Sequence, residues 1–122
     1  MKELCNVNFI ELGNKKYPCA TSFVMDLIGG KWKTVILCQL KNREVRFSEL
    51  KKELSFITES TLNLQLKQLE KNGLIVKVVI GNKPPLKVIY SLSSFGESFI
   101  PILEQINLFG KEIINMNKSL PK

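Results

Sequence analysis

The residues best suited to chemistry lie between Thr58 and Lys71. Ser60, Thr61 and Asn63 offer hydroxyl and amide groups, and Lys67 and Lys71 offer cations, within little more than three helical turns. Leu62, Leu66 and Leu69 recur at i, i+4 and i+7 among them, an apolar stripe that holds a helix against a core. At about 100° per residue, Ser60, Leu64, Lys67 and Lys71 point away from that stripe, with Thr61, Asn63 and Gln68 beside them. A polar, basic helix face suits hydrogen bonding to base edges and ion pairing with phosphates. Asn pairs with adenine N6 and N7, and Leu64 reads either as a contact for a thymine methyl or as an ordinary exposed leucine.

Other chemistries find little support. The chain has no histidine, the commonest general base and metal ligand. It has no C-x-x-C pair, glycine-rich phosphate loop or carboxylate cluster, so the reading is of a non-enzyme with no metal and no cofactor. Its three cysteines, Cys5, Cys19 and Cys38, are odd in number and imply neither a disulfide framework nor a zinc ribbon. Cys38, inside an apolar segment, reads as inert core, and Cys5 stays unassigned.

Charge separates the middle of the chain from its ends. Twelve Lys and Arg and five Glu lie within residues 31–87, a surplus that equals the whole net charge of +7. The flanks cancel. A localised surplus of this sign favours a polyanion, because each cation near a phosphate releases counterions. A solvated surface explains the charge alone equally well.

The order of elements decides between these. After an arm over residues 1–18, residues 22–28 read as a short helix ending at Gly29 and Gly30, and residues 31–40 as an apolar second helix. Trp32 reads as core. Residues 42–45 turn the chain. Phe47, Leu50 and Leu54 mark a third helix capped by Ser48. Thr58 caps the next, Glu59 suits the positive end of its dipole, and Asn72 and Gly73 stop it. The period then switches. Residues 74–80 (LIVKVVI) and 87–92 read as strands around a loop, GNKPP. Helix, helix, helix and hairpin is the winged-helix order. The predicted fold is α+β: a winged helix-turn-helix domain with N- and C-terminal dimerisation helices, DNA-binding over residues 19–93.

Residues 94–122 form the last part. Ser94 and Glu97 match a capping box. Phe99, Ile102, Ile106, Phe109 and Ile113 follow at helical spacing with Leu103 on a neighbouring side, and Pro101 should kink or restart the helix. This is more apolar surface than a small domain covers, and a partner helix accounts for the set better than a core does. A homodimer on a pseudo-palindromic operator follows.

Several short motifs resemble one family in order and spacing: Gly29-Gly30-Lys31-Trp32, Arg46-Phe47-x-x-Leu50, Leu62-x-x-x-Leu66-x-x-Leu69-Glu70, Gly73-Leu74 and Pro85-x-Lys87-Val88-x-Tyr90-x-Leu92. They resemble the HxlR-type regulators, winged-helix proteins related to the MarR group, over about residues 19–110. The resemblance implies a dimeric transcription factor acting at its own or a neighbouring promoter. It also places Cys19 where many members carry a cysteine, which in several senses electrophiles or oxidants. Here Ala20 follows Cys19 where members often have Pro, and Gln65 stands near where they often have Arg.

The expected interface has a recognition helix over residues 58–72 in the major groove and a wing over residues 81–87 on the backbone or minor groove. Lys83 and Lys87 serve the wing. Lys31, Lys51 and Lys52 reach phosphate or stay solvated. Arg46 contacts phosphate or pairs with Glu44 or Glu49. Cys19, near a helix N-terminus, is the thiol to watch, since that position favours a thiolate. The first residues lack the apolar run of a signal peptide, and no stretch nears the roughly 20 apolar residues of a membrane span. A cytoplasmic location is expected. The alternative is a winged-helix assembly module without sequence-specific DNA binding.

Overall fold

The computed structural model describes residues 9–116. Cys5 and residues 117–122 lie outside them. The segment read as an arm folds over its latter half into a hairpin. Strands β1 (Ile10–Leu12) and β2 (Lys15–Tyr17) pair antiparallel, and Gly13 takes the turn at φ 63°. The hairpin is held by Asp26 of the first helix, α1 (Ala20–Ile28). The Asp26 carboxylate accepts from Tyr17 Oη at 2.7 Å and from Lys15 Nζ at 3.1 Å. Those partners, Tyr17 first, keep it below the usual carboxylate range.

Helix α1 begins two residues earlier than expected, with Cys19 at its N-cap. Helix α2 (Lys33–Gln39) buries Ile36 and Leu37 completely, with Leu40 just beyond its end. A short strand, β3 (Glu44–Arg46), follows where only a turn was expected. It leads straight into α3 (Phe47–Glu53), so Arg46 and not Ser48 takes the N-cap position. Helix α4 (Glu59–Lys71) meets expectation at both ends. Thr58 Oγ1 accepts the Thr61 N–H at 3.2 Å. Gly73, at φ 78°, closes the helix, with Leu74 N–H donating to Leu69 O at 2.9 Å.

Strands β4 (Ile75–Ile80) and β5 (Lys87–Leu92) form the wing, and β3 adds to β5, giving the order β3-β5-β4. Between β4 and β5 the Pro84–Pro85 peptide is cis. Helix α5 (Ser94–Met116) runs unbroken through Pro101, contrary to a restart there. Its first N–H groups are also held differently from the expected capping box. Ser93, not Ser94, receives them: Gly96 N–H donates to Ser93 Oγ at 3.0 Å, and Ser93 Oγ donates to Gly73 O at 2.6 Å. A Cβ on Gly96 would sit 2.0 Å from Leu74 O, so glycine lets the start of α5 lie directly on the backbone that leads from α4 into β4.

Every helix contributes to one core. Leu62, Leu66 and Leu69 of α4 meet Leu37, Leu40, Val45, Leu50, Leu74 and Tyr90 in it. Each buried leucine contributes about 2 kcal/mol of transfer free energy. No polar or charged residue is buried among the described residues.

Candidate nucleic-acid interface

The apolar stripe of α4 leaves its opposite face outward. Ser60, Asn63, Leu64, Lys67 and Glu70 line a cleft of about 470 Å³ whose other wall is the wing, through Lys77 and Tyr90. Leu64 is 52% exposed. Lys77 was not singled out from sequence. It pairs with Tyr90 across the sheet and faces α4. The signal was present as the one charge breaking an apolar strand.

Thr61 is only half exposed, and its hydroxyl accepts from Thr58 Oγ1 at 2.9 Å. It is committed to the helix cap, which leaves Ser60 and Asn63 as the freer polar groups. Lys71 lies one turn beyond Lys67. It lines a separate cleft with Lys15, Tyr17, Asp26, Lys33 and Gln68, where Lys33 Nζ donates to Gln68 Oε1 at 2.7 Å. Lys83 and Lys87 are exposed on the wing.

Lys51, in the last turn of α3, pairs with Glu59 at 3.1 Å. Arg46 is exposed and joins none of the ion pairs among the described residues; Arg43 takes Glu53 instead, at 2.7 Å. That pair lowers the Glu53 carboxyl and raises the Arg43 guanidinium. Trp32 packs on the core as expected, 5.6 Å from the Phe56 ring, with Lys31 Nζ 4.9 Å above it.

The cysteines depart from the sequence reading. Cys19 is buried and disulfide-bonded. Cys38 is not core: it is an exposed free thiol at the edge of a groove between α2 and α5. Partial burial, then Glu104, pushes this thiol above its ordinary value, which disfavours its thiolate. Lys41 pairs with the same Glu104.

On α5, Phe99 and Leu103 are 5% exposed and belong to the chain's own core, which corrects their assignment to a dimer surface. Ile102 and Ile106 are each 52% exposed and Phe109 62%, while Ile113 is half-buried. Among the described residues no helix is long and apolar enough to cross a membrane, and no cluster could hold a metal ion.

Known proteins share this arrangement. Residues 27–118 match the HxlR-like helix-turn-helix family. An uncharacterized HTH-type transcriptional regulator of Methanothermobacter thermautotrophicus is 40% identical over 83% of this chain and 76% of its own length. YtcD of Bacillus subtilis, described in the same terms, is 43% identical over 83% of this chain and 79% of its own. Among solved structures, the redox regulator HypR in its reduced form superposes with a TM-score of 0.75 at 34% identity, over 82% of this chain and 98% of that one. With the winged helix-turn-helix in place and most of its length matched, the chain belongs to the HxlR-like helix-turn-helix family of transcriptional regulators.

Proposed function

We infer that this regulator binds a pseudo-palindromic operator as a homodimer, in the cytoplasm, with α4 in the major groove and the wing on the backbone. The observation that carries this reading is the cleft between α4 and the wing, where Ser60, Asn63, Leu64, Lys67 and Lys77 converge. Ser60 and Asn63 read bases, Leu64 meets a thymine methyl, and Lys67 and Lys77 take phosphates. Lys83 and Lys87 extend the contact along the wing, and Arg46 and Lys51 hold the backbone beside α3. Lys71, one turn beyond Lys67 and bordering the hairpin, takes phosphate at the far end of the row. The DNA-binding body spans residues 19–93, and residues 94–122 carry the dimer surface, with Ile102, Ile106 and Phe109 among its exposed apolar residues. Two copies joined along α5 would set the spacing of two recognition helices.

Footprinting on the duplex flanking the protein's own gene tests this. Two protected half-sites about one helical turn apart are expected. Protection no stronger than on random duplex would leave the assembly-module reading in its place.

A second reading concerns redox control. Cys19 is the buried, disulfide-bonded N-cap of α1, and a solved relative is described as a redox regulator. Making or breaking that bond would change how the start of α1 is held. Diamide, a thiol oxidant, added to reduced protein should then change duplex affinity, and Cys19→Ser should remove the response. An unchanged response in Cys19→Ser would exclude Cys19 as the sensor.

A further inference from the structure

Glu59 is out of place by charge. It is the first residue of α4, one position before Ser60, which reads bases in the reading above, and its side chain is 56% exposed. Glu59, Asn63 and Lys67 lie four residues apart, so they form one row along the helix. A carboxylate at the head of that row faces a polyanion, which repels it unless something compensates. The compensation is present. Lys51 Nζ, from the last turn of α3, lies 3.1 Å from Glu59 Oε1, with its side chain 46% exposed. The same ammonium lies 6.0 Å above the Phe47 ring of its own helix, a second contact for it. Helix-dipole stabilisation alone explains a Glu at this position, but it does not need a lysine from another helix.

We propose that Glu59 and Lys51 together read one base pair in each half-site, and that the base is cytosine. Glu59 accepts the cytosine N4–H in the major groove. Lys51 sits between that carboxylate and a backbone phosphate, donating to both. It thereby neutralises the repulsion and fixes the carboxylate's position. Guanine and thymine offer the carboxylate only acceptors, and adenine sets its N7 acceptor beside the N6–H donor, so the pair rejects other bases as well as favouring one. This inference rests on the DNA-binding reading and assigns a specificity-determining residue to it.

Selection from a random duplex library tests it with the full-length chain, native and as Glu59→Gln, Glu59→Ala and Lys51→Gln, followed by titrations on the selected duplexes. The native protein should enrich C·G at one position of each half-site, with affinity about tenfold or more above the other pairs there. Glu59→Gln should shift that position alone toward adenine, which a glutamine amide pairs with. Glu59→Ala should lose preference there and keep it elsewhere. Lys51→Gln should weaken the same preference and reduce the salt slope by about one. A purely helix-stabilising Glu59 would give a different result: a lower melting temperature, with equal loss of affinity on every duplex and unchanged base choice. That result overturns the proposal. If the native protein enriches no sequence, the DNA-binding reading itself fails and the base reader fails with it; if it enriches a site that Glu59→Gln selects unchanged, only the base reader fails.

Discussion

Helices α4 and α5 both carry apolar residues at helical spacing, but they spend them differently. In α4 the three stripe leucines are at most 1% exposed, and most of the rest of the helix is polar. In α5 only the first half is finished this way, through Phe99, Ile100 and Leu103, while Ile102, Ile106, Phe109 and Ile114 stay more than half exposed. One helix is completed by its own domain and turns a polar face outward. The other carries apolar surface that its own domain leaves uncovered. One outward face is thus polar and basic, the other apolar.

The stripe should be the costliest place to break it. Leu66→Ala leaves a cavity under α4 and should lower folding stability by about 3 kcal/mol, seen as an earlier midpoint in denaturant unfolding. A loss below about 1 kcal/mol would mean that α4 is not held by its stripe. On α5 the effect should fall on assembly. Ile106→Glu with Phe109→Glu should leave the melting temperature of the folded unit near native, but sedimentation should report a monomer. Duplex affinity should then fall at least tenfold, as two linked half-sites become one. A dimer that survives both charges would place the partner surface elsewhere. The cap should matter least. Thr58→Ala removes the hydroxyl that accepts Thr61 N–H and should cost about 1 kcal/mol, readable by thermal melting, while Thr58→Ser should recover most of it.

Much of this was legible in the sequence, and α4 most of all. Its cap, stripe and stop are local signals, each needing only neighbours within a few residues: Thr58, then the leucines, then Gly73. The two wing strands were equally plain, because β-branched runs flank a loop that cannot be a strand. The misses share one cause, that long-range partners are silent in a local pattern. Strand β3 has a single buried residue, Val45, and exists because β5 pairs with it. The N-terminal hairpin has almost no buried side chain and depends on Asp26 from α1. Cys38 lies in an apolar segment, yet α2 turns it toward the groove beside α5. The dimer surface was drawn too wide because periodicity marks Phe99 and Phe109 alike; only the contact with the core tells them apart. Lys77 was passed over since nothing local says that β4 turns it toward α4.

The central claim is that the outer face of α4 and the wing hold DNA, and one titration addresses it directly. Duplex affinity is measured by fluorescence anisotropy across a salt series for the native protein and for Lys67→Glu with Lys83→Glu. Both lysines are exposed and lie outside the core, so the fold should be unchanged. The account predicts a steep native slope of log affinity against log salt, shallower by about two in the variant, with binding at least a hundredfold weaker at low salt. A variant that binds the same duplex with native affinity and slope would contradict the account and remove α4 and the wing from the interface.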